Sequence, residues 1–125
     1  MIIGIKSEFA FEIGTKKVVD LREVNIWAKD TLITYYDNMA YIPAFIACLE
    51  REINILENGN FDDEHIFLNY GPTTDDVSSR IKYYNDKIHI SFELDNGIKF
   101  QLETDMELLL SIYRKTVQTL KEESI

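Results

Sequence analysis

A chain of 125 residues has the length of one ordinary domain and can bury a core without disulfide or metal staples. Its 46% hydrophobic and 12% aromatic content excludes a disordered chain, and two prolines and five glycines leave no flexible linker, so residues 1–125 read as a single domain. A net charge of −9 disfavours polyanions, so neither nucleic acid nor an anionic membrane is an expected partner, and a basic protein is the natural complement.

Met1–Lys6 lacks the basic start and long apolar stretch of a secretion signal, and no run reaches the roughly 18 apolar residues of a membrane span. Ser7 to Ile13 alternates, with Phe9, Phe11 and Ile13 on one face, which predicts a half-buried strand. Gly14–Lys17 reads as a turn. Val19-Asp20-Leu21 opens a second strand whose apolar phase then slips to Val24 and Ile26, and a bulge near Arg22-Glu23 would account for the slip. Lys29-Asp30 is a two-residue hairpin turn, with Thr31 to Tyr35 returning and Ile26 opposite Ile33.

A helix follows, opened at Asp37 or Asn38, with Pro43 in its first turn and an apolar stripe of Ile42, Phe45, Ile46, Leu49, Ile53 and Leu56. Asn58-Gly59 is its stop. The one cysteine, Cys48, sits in the apolar run Ala44–Leu49. It is expected to be a small buried thiol, and the lack of a possible disulfide suits a reducing cytoplasm. Residues 60–79 are the least regular, with a short strand at Ile66-Phe67-Leu68. Three alternating strands come next, marked by Ile81 and Tyr83, by Ile88, Ile90, Phe92 and Leu94, and by Ile98, Phe100 and Leu102. Asn85-Asp86 joins the first two. Asp95-Asn96-Gly97 joins the last two as a three-residue loop with Gly97 left-handed, because a two-residue loop would put Leu94 opposite Lys99. Thr104 to Glu107 is a capping box before a second helix striped by Met106, Leu109, Leu110, Tyr113, Val117 and Leu120, which frays from Lys121. The fold class is therefore α+β, a mainly antiparallel sheet with two amphipathic helices in the order β-β-β-α-(β)-β-β-β-α.

No motif for chemistry is present: no GxGxxG or GxxxxGK[ST] phosphate loop, no HExxH, CxxC, calcium loop or GxSxG serine. No catalytic residue, cofactor or metal is assigned, and the chain is not expected to be an enzyme. His65 follows Asp62-Asp63-Glu64, but consecutive loop carboxylates point apart. His89 alternates with Ile88 and Ile90, which places it on the solvent face. Glu93, Asp95 and Glu103 could form an acid pair across strands, although cross-strand ion pairs with Lys82, Lys87 and Lys99 suit their outward phase better. Tyr35, Tyr36, Tyr41, Tyr70, Tyr83 and Tyr84 cluster near loops and strand ends, as interface tyrosines do, and Tyr84 should be exposed.

The charge itself is unevenly placed. Residues 41–76 hold one base, Arg51, against eight acids, a net of −7, while the flanking segments each net −1. A carboxylate concentration of this size can steer a cationic partner. The segment Met1 to Ile13, the Asn25-Ile26-Trp27 strand with its hairpin, and the helix after it resemble immunity proteins of bacterial polymorphic-toxin and contact-dependent growth inhibition systems. The nearest group is the family known as immunity protein forty-two, and the likeness spans the first half of the chain. It implies a cytoplasmic protein that binds and neutralises the C-terminal domain of a cognate toxin, for which a nuclease with a basic groove is the expected chemistry. The toxin-binding residues expected on charge are Glu57, Asp62, Asp63, Glu64, Asp75 and Asp76, with Tyr70 as an anchor. The alternative is a non-enzymatic adaptor or regulatory domain with a basic protein partner.

Overall fold

Apolar and polar residues alternate through both halves of the chain, and each half builds its own antiparallel sheet. The computed structural model describes residues 1–34, 38–58, 65–67 and 77–123, and of Lys16, His65–Phe67 and Tyr84 the backbone only. The first sheet runs β1 (Ile2–Ile5), β2 (Phe9–Val18), β3 (Leu21–Ala28) and β4 (Thr31–Leu32), with β5 (Met39–Tyr41) also paired to β3. Helix α1 (Ile42–Asn58) follows. The second sheet runs β6 (His65–Phe67), β7 (Val77–Tyr84), β8 (Lys87–Leu94) and β9 (Lys99–Thr104), and α2 (Met106–Glu123) closes the described chain. The predicted α+β class with antiparallel pairing and two helices holds, but with two sheets rather than one.

The core is a continuous cluster. Phe9, Phe11, Val24 and Ile26 from the first sheet meet Phe45 and Leu49 of α1, Leu109 and Tyr113 of α2, and Ile88, Ile90 and Phe92 of the second sheet. Each such side chain contributes about 1.5–3 kcal/mol by leaving water. Tyr113 lies at the centre: its ring stacks on Phe9 at 6.2 Å and meets Phe11 edge-on at 5.4 Å. Strand β1 passes so close to β2 and α2 that a Cβ on Gly4 would lie 2.4 Å from the Phe9 carbonyl oxygen of β2 and 3.1 Å from Ile112 Cδ1 of α2, and its φ of +106° is one that only glycine adopts freely.

The turns follow the sequence reading where local chemistry decides them. Lys29 and Asp30 both take positive φ, and Asn85 and Asp86 do the same, as a two-residue hairpin with the right-handed strand twist requires. Tyr83 pairs with Ile88, Ile81 with Ile90 and Phe92 with Phe100, and Gly97 has φ +92°. Helix α1 carries its predicted stripe and ends at Asn58; Gly59 lies outside the described residues.

Elsewhere tertiary pairing changes the reading. Gly14–Lys17 is not a turn: β2 continues to Val18, and Val19-Asp20 makes the turn. The bulge sits on β2 between Ile13 and Lys17, not at Arg22-Glu23. Its location has a physical cause, because a Cβ on Gly14 would meet Glu23 Oε1 at 2.2 Å and Arg22 Nε donates to the Gly14 carbonyl at 2.7 Å. The chain after Asp37 forms β5 before any helix, and α1 begins at Ile42, whose amide donates to the Asp20 carbonyl at 2.8 Å. The strand after Asp30 is only two residues long, though Ile33 N still donates to Ile26 O at 2.8 Å. Thr104 ends β9 opposite Ile88, and the carbonyl of Asp105 accepts from Leu109 N, so Asp105 rather than Thr104 caps α2. Ile98, expected inside, is 48% exposed because it lies just before β9 begins. Among the described residues no helix is long and apolar enough to cross a membrane.

Candidate functional site

The acidic segment begins on α1, and there the helix pair settles where each carboxylate points. Glu50 and Glu57 stand on the edge of a broad groove between α1 and α2 of ≈ 880 Å³. Glu57 Oε1 lies 3.4 Å from Arg114 Nη2, and Glu50 Oε2 lies 3.3 Å from Lys121 Nζ. Both pairs are about half exposed, so each is worth little in stability, but each neutralises an α1 carboxylate with an α2 base. Glu57 is thus the one member of the expected binding set that the structure describes, and its charge is locally balanced.

Glu52 takes a different place. It is not among the six apolar positions of the predicted stripe, yet it is only 4% exposed. It falls three residues after Leu49 and four before Leu56, so helical geometry turns it inward. Tyr113 Oη donates to Glu52 Oε1 at 2.8 Å, a buried hydrogen bond that ties α1 to α2 through the core.

Asp62, Asp63, Glu64, Tyr70, Asp75 and Asp76 lie outside the described residues. Residues 59–76 carry five carboxylates and no lysine or arginine. The described chain meets this segment at the end of α1, at β6 and at the start of β7, and among the described residues β6 is the terminal strand of the second sheet, with His65 opposite Ile81.

The outward face of the first sheet carries a polar network that the sequence reading did not assemble. Trp27 Nε1 donates to Glu12 Oε1 at 3.0 Å, Asn25 Nδ2 lies 3.4 Å from the same oxygen, and Lys6 Nζ sits 4.3 Å from the Trp27 ring centroid. The indole hydrogen bond is the main cause that holds the Glu12 carboxyl below its ordinary value; burial opposes it, and Asn25 and Lys6 assist. Asn25 and Trp27 share this face because they pair with Glu12 and Ala10. Spacing alone could have found the network once the β2–β3 register was known.

An apolar surface at the β2–β3 hairpin was also missed. Val18, Leu21 and Tyr41 are exposed, and Val19 is 84% exposed with φ +52°, a left-handed conformation that a β-branched residue rarely adopts. Val19, Leu21, Ile42, Pro43 and Ile46 line an open pocket of ≈ 310 Å³ beside the Arg22–Glu123 ion pair. The adjacent valines were the available signal.

Glu93 follows the preferred ion-pair reading rather than the acid pair. Glu93 Oε1 lies 3.6 Å from Lys99 Nζ, and Glu103 stands opposite His89 in the strand register. His89 lies on the outward face as expected, but half-buried. Among the described residues no three His, Cys, Asp or Glu side chains converge as a metal-binding group. Comparison of the chain with protein-family models, with curated proteins and with solved structures found no match.

Proposed function

We propose that this protein is a cytoplasmic immunity protein that binds a cognate bacterial toxin domain and neutralises it, and that the toxin is a nuclease with a basic groove. One observation carries the reading: five carboxylates and no lysine or arginine in residues 59–76, which fall in sequence between α1 and β7. Loops carried on a rigid framework are where recognition residues concentrate. The pairing of Glu50 and Glu57 with α2 bases shifts the weight of the steering field to Asp62, Asp63, Glu64, Asp75 and Asp76. These carboxylates would occupy the groove in place of substrate phosphates. The likeness of the first half of the chain to immunity proteins supports the same reading.

The test is co-expression with the product of the gene directly upstream. The expected result is growth arrest by that product alone, rescue by this protein, and a stoichiometric complex on co-purification. Reversing Asp62, Asp63 and Glu64 together to lysine should slow association and reduce rescue. Full protection by that triple variant would remove this segment from the interface. Failure of the wild-type protein to bind or protect would remove the function itself.

A further inference from the structure

A terminal strand offers backbone groups that no neighbour has met, and proteins ordinarily protect such edges by short length, charge or proline. Among the described residues, β4 is two residues long and β9 carries Lys99 and Glu103. Strand β1 has no such protection. It reads Ile-Ile-Gly-Ile, without charge or proline, and Met1, Ile2 and Ile5 are exposed. Lys6, the first charged side chain after it, turns back onto the sheet. Its Nζ lies 4.3 Å from the Trp27 ring centroid and 3.8 Å from Glu12 Oε2.

The hydrogen bonds between β1 and β2 say which groups of the edge are open. Met1 N donates to the Ile13 carbonyl at 3.0 Å, and Ile13 N donates back to the Met1 carbonyl at 2.8 Å. Such doubly bonded pairs alternate along an antiparallel ladder. Ile2 opposite Glu12 and Gly4 opposite Ala10 are therefore the other kind of pair, and the N–H and C=O of Ile2 and Gly4 point away from β2. Among the described residues no strand other than β2 pairs with β1. A row of open backbone groups selects an extended strand as its partner.

We propose that this edge pairs with the same edge of a second copy of the chain, in an antiparallel dimer whose two first sheets become one continuous sheet. Self-complementarity argues for that occupant. With Ile3 opposite Ile3 of the second copy, Ile2 faces Gly4 and Gly4 faces Ile2. Each outward N–H then meets an outward C=O and none is left over, as a two-fold interface requires. Gly4 has no side chain, so the exposed Ile2 side chain of the second copy meets no opposing Cβ there. Residues 1–5 carry no charged side chain in a chain of net −9, so the copies meet where their mutual repulsion is least.

Sedimentation velocity of the full chain between about 5 and 500 µM tests this, in about 0.5 M salt to screen the repulsion between two acidic chains. The expected result is a concentration-dependent equilibrium of monomer and dimer. Ile2→Pro removes an N–H that β2 does not use, a place where an edge strand tolerates proline. It deletes one bond from each half of the two-fold interface, so dimerisation should weaken about tenfold or more. Val19→Asp, at the other exposed apolar place, should leave the dimer constant within about twofold. Amide hydrogen exchange reads the pairing directly: the Gly4 amide should exchange more slowly as the dimer fills, while the Ile3 amide, bonded within the chain, is protected throughout. Melting temperature checks that Ile2→Pro folds. If it does not, Ile2→Lys keeps the N–H, places a charge on the edge and should also weaken the dimer. A chain that stays monomeric across this range overturns the proposal. So does a dimer that the folded Ile2 variant leaves intact, one that Val19→Asp breaks instead, or a Gly4 amide that exchanges equally in monomer and dimer. None of these readouts involves a toxin, so this proposal and the immunity reading fail independently.

Discussion

Two side-chain pairs show how single hydrogen bonds set local properties. The buried Glu52–Tyr113 bond joins the helices beneath the groove that carries Glu57. Tyr113→Phe keeps the ring packing on Phe9 and Phe11 and deletes the donor. It should lower stability by about 1–3 kcal/mol, the cost of taking one hydrogen bond from a buried carboxylate, measured by urea denaturation. Glu12 provides the pH-dependent case. Its folded-state pKa lies below the unfolded value, chiefly through Trp27, so its contribution is present above the unfolded pKa and lost as pH falls through the folded one. Trp27→Phe removes that bond. Melting temperatures of the two proteins should therefore differ most near neutral pH, with the electrostatic part of the difference shrinking as pH drops below the ordinary glutamate value of 4.5. A difference independent of pH would assign the whole effect to ring packing.

At the scale of elements, hairpins whose turns announce themselves were legible and pairings made at a distance were not. Asn85-Asp86 and Asp95-Asn96-Gly97 were read correctly because turn length must keep Ile88 and Phe92 on the buried face. The β2–β3 hairpin was misplaced because Gly14 looks like a turn residue. Its actual role is to let Glu23 pass close to the β2 bulge, a constraint that exists only once the two strands are side by side. The displaced turn leaves Val19 in the left-handed region. Val19→Gly should raise stability by about 0.5–1 kcal/mol in thermal unfolding, since relief of the Cβ clash outweighs the extra freedom of the unfolded chain. A destabilised variant would show that Val19 packs favourably where it stands. Helix α2 likewise runs to Glu123 rather than fraying at Lys121, because Arg22 pairs with the Glu123 carboxylate and Lys17 Nζ donates to its carbonyl at 3.2 Å.

For the whole molecule, charge placement matters more than its sum. Among the described residues the α1 acids are paired or buried, and in sequence residues 59–76 hold five carboxylates and no lysine or arginine. If that stretch steers a basic toxin, stopped-flow association should slow by about tenfold or more between low and molar salt while dissociation changes little. An association rate insensitive to salt would point to an apolar interface instead, for which the exposed Val18–Leu21 tip is available.

By itself the sequence determined the class of fold, both helices with their apolar stripes, three of the hairpin turns and the clustering of acid between α1 and β7. These rest on periods of 2 and 3.6 residues and on turn chemistry, which act within a few neighbours. Only the tertiary structure decided the rest: the division into two sheets, the β1 pairing, the burial of Glu52 against Tyr113, and the pairing of Glu57 with Arg114. Each of these joins groups that are remote along the chain, so no local pattern records them until the core brings them together.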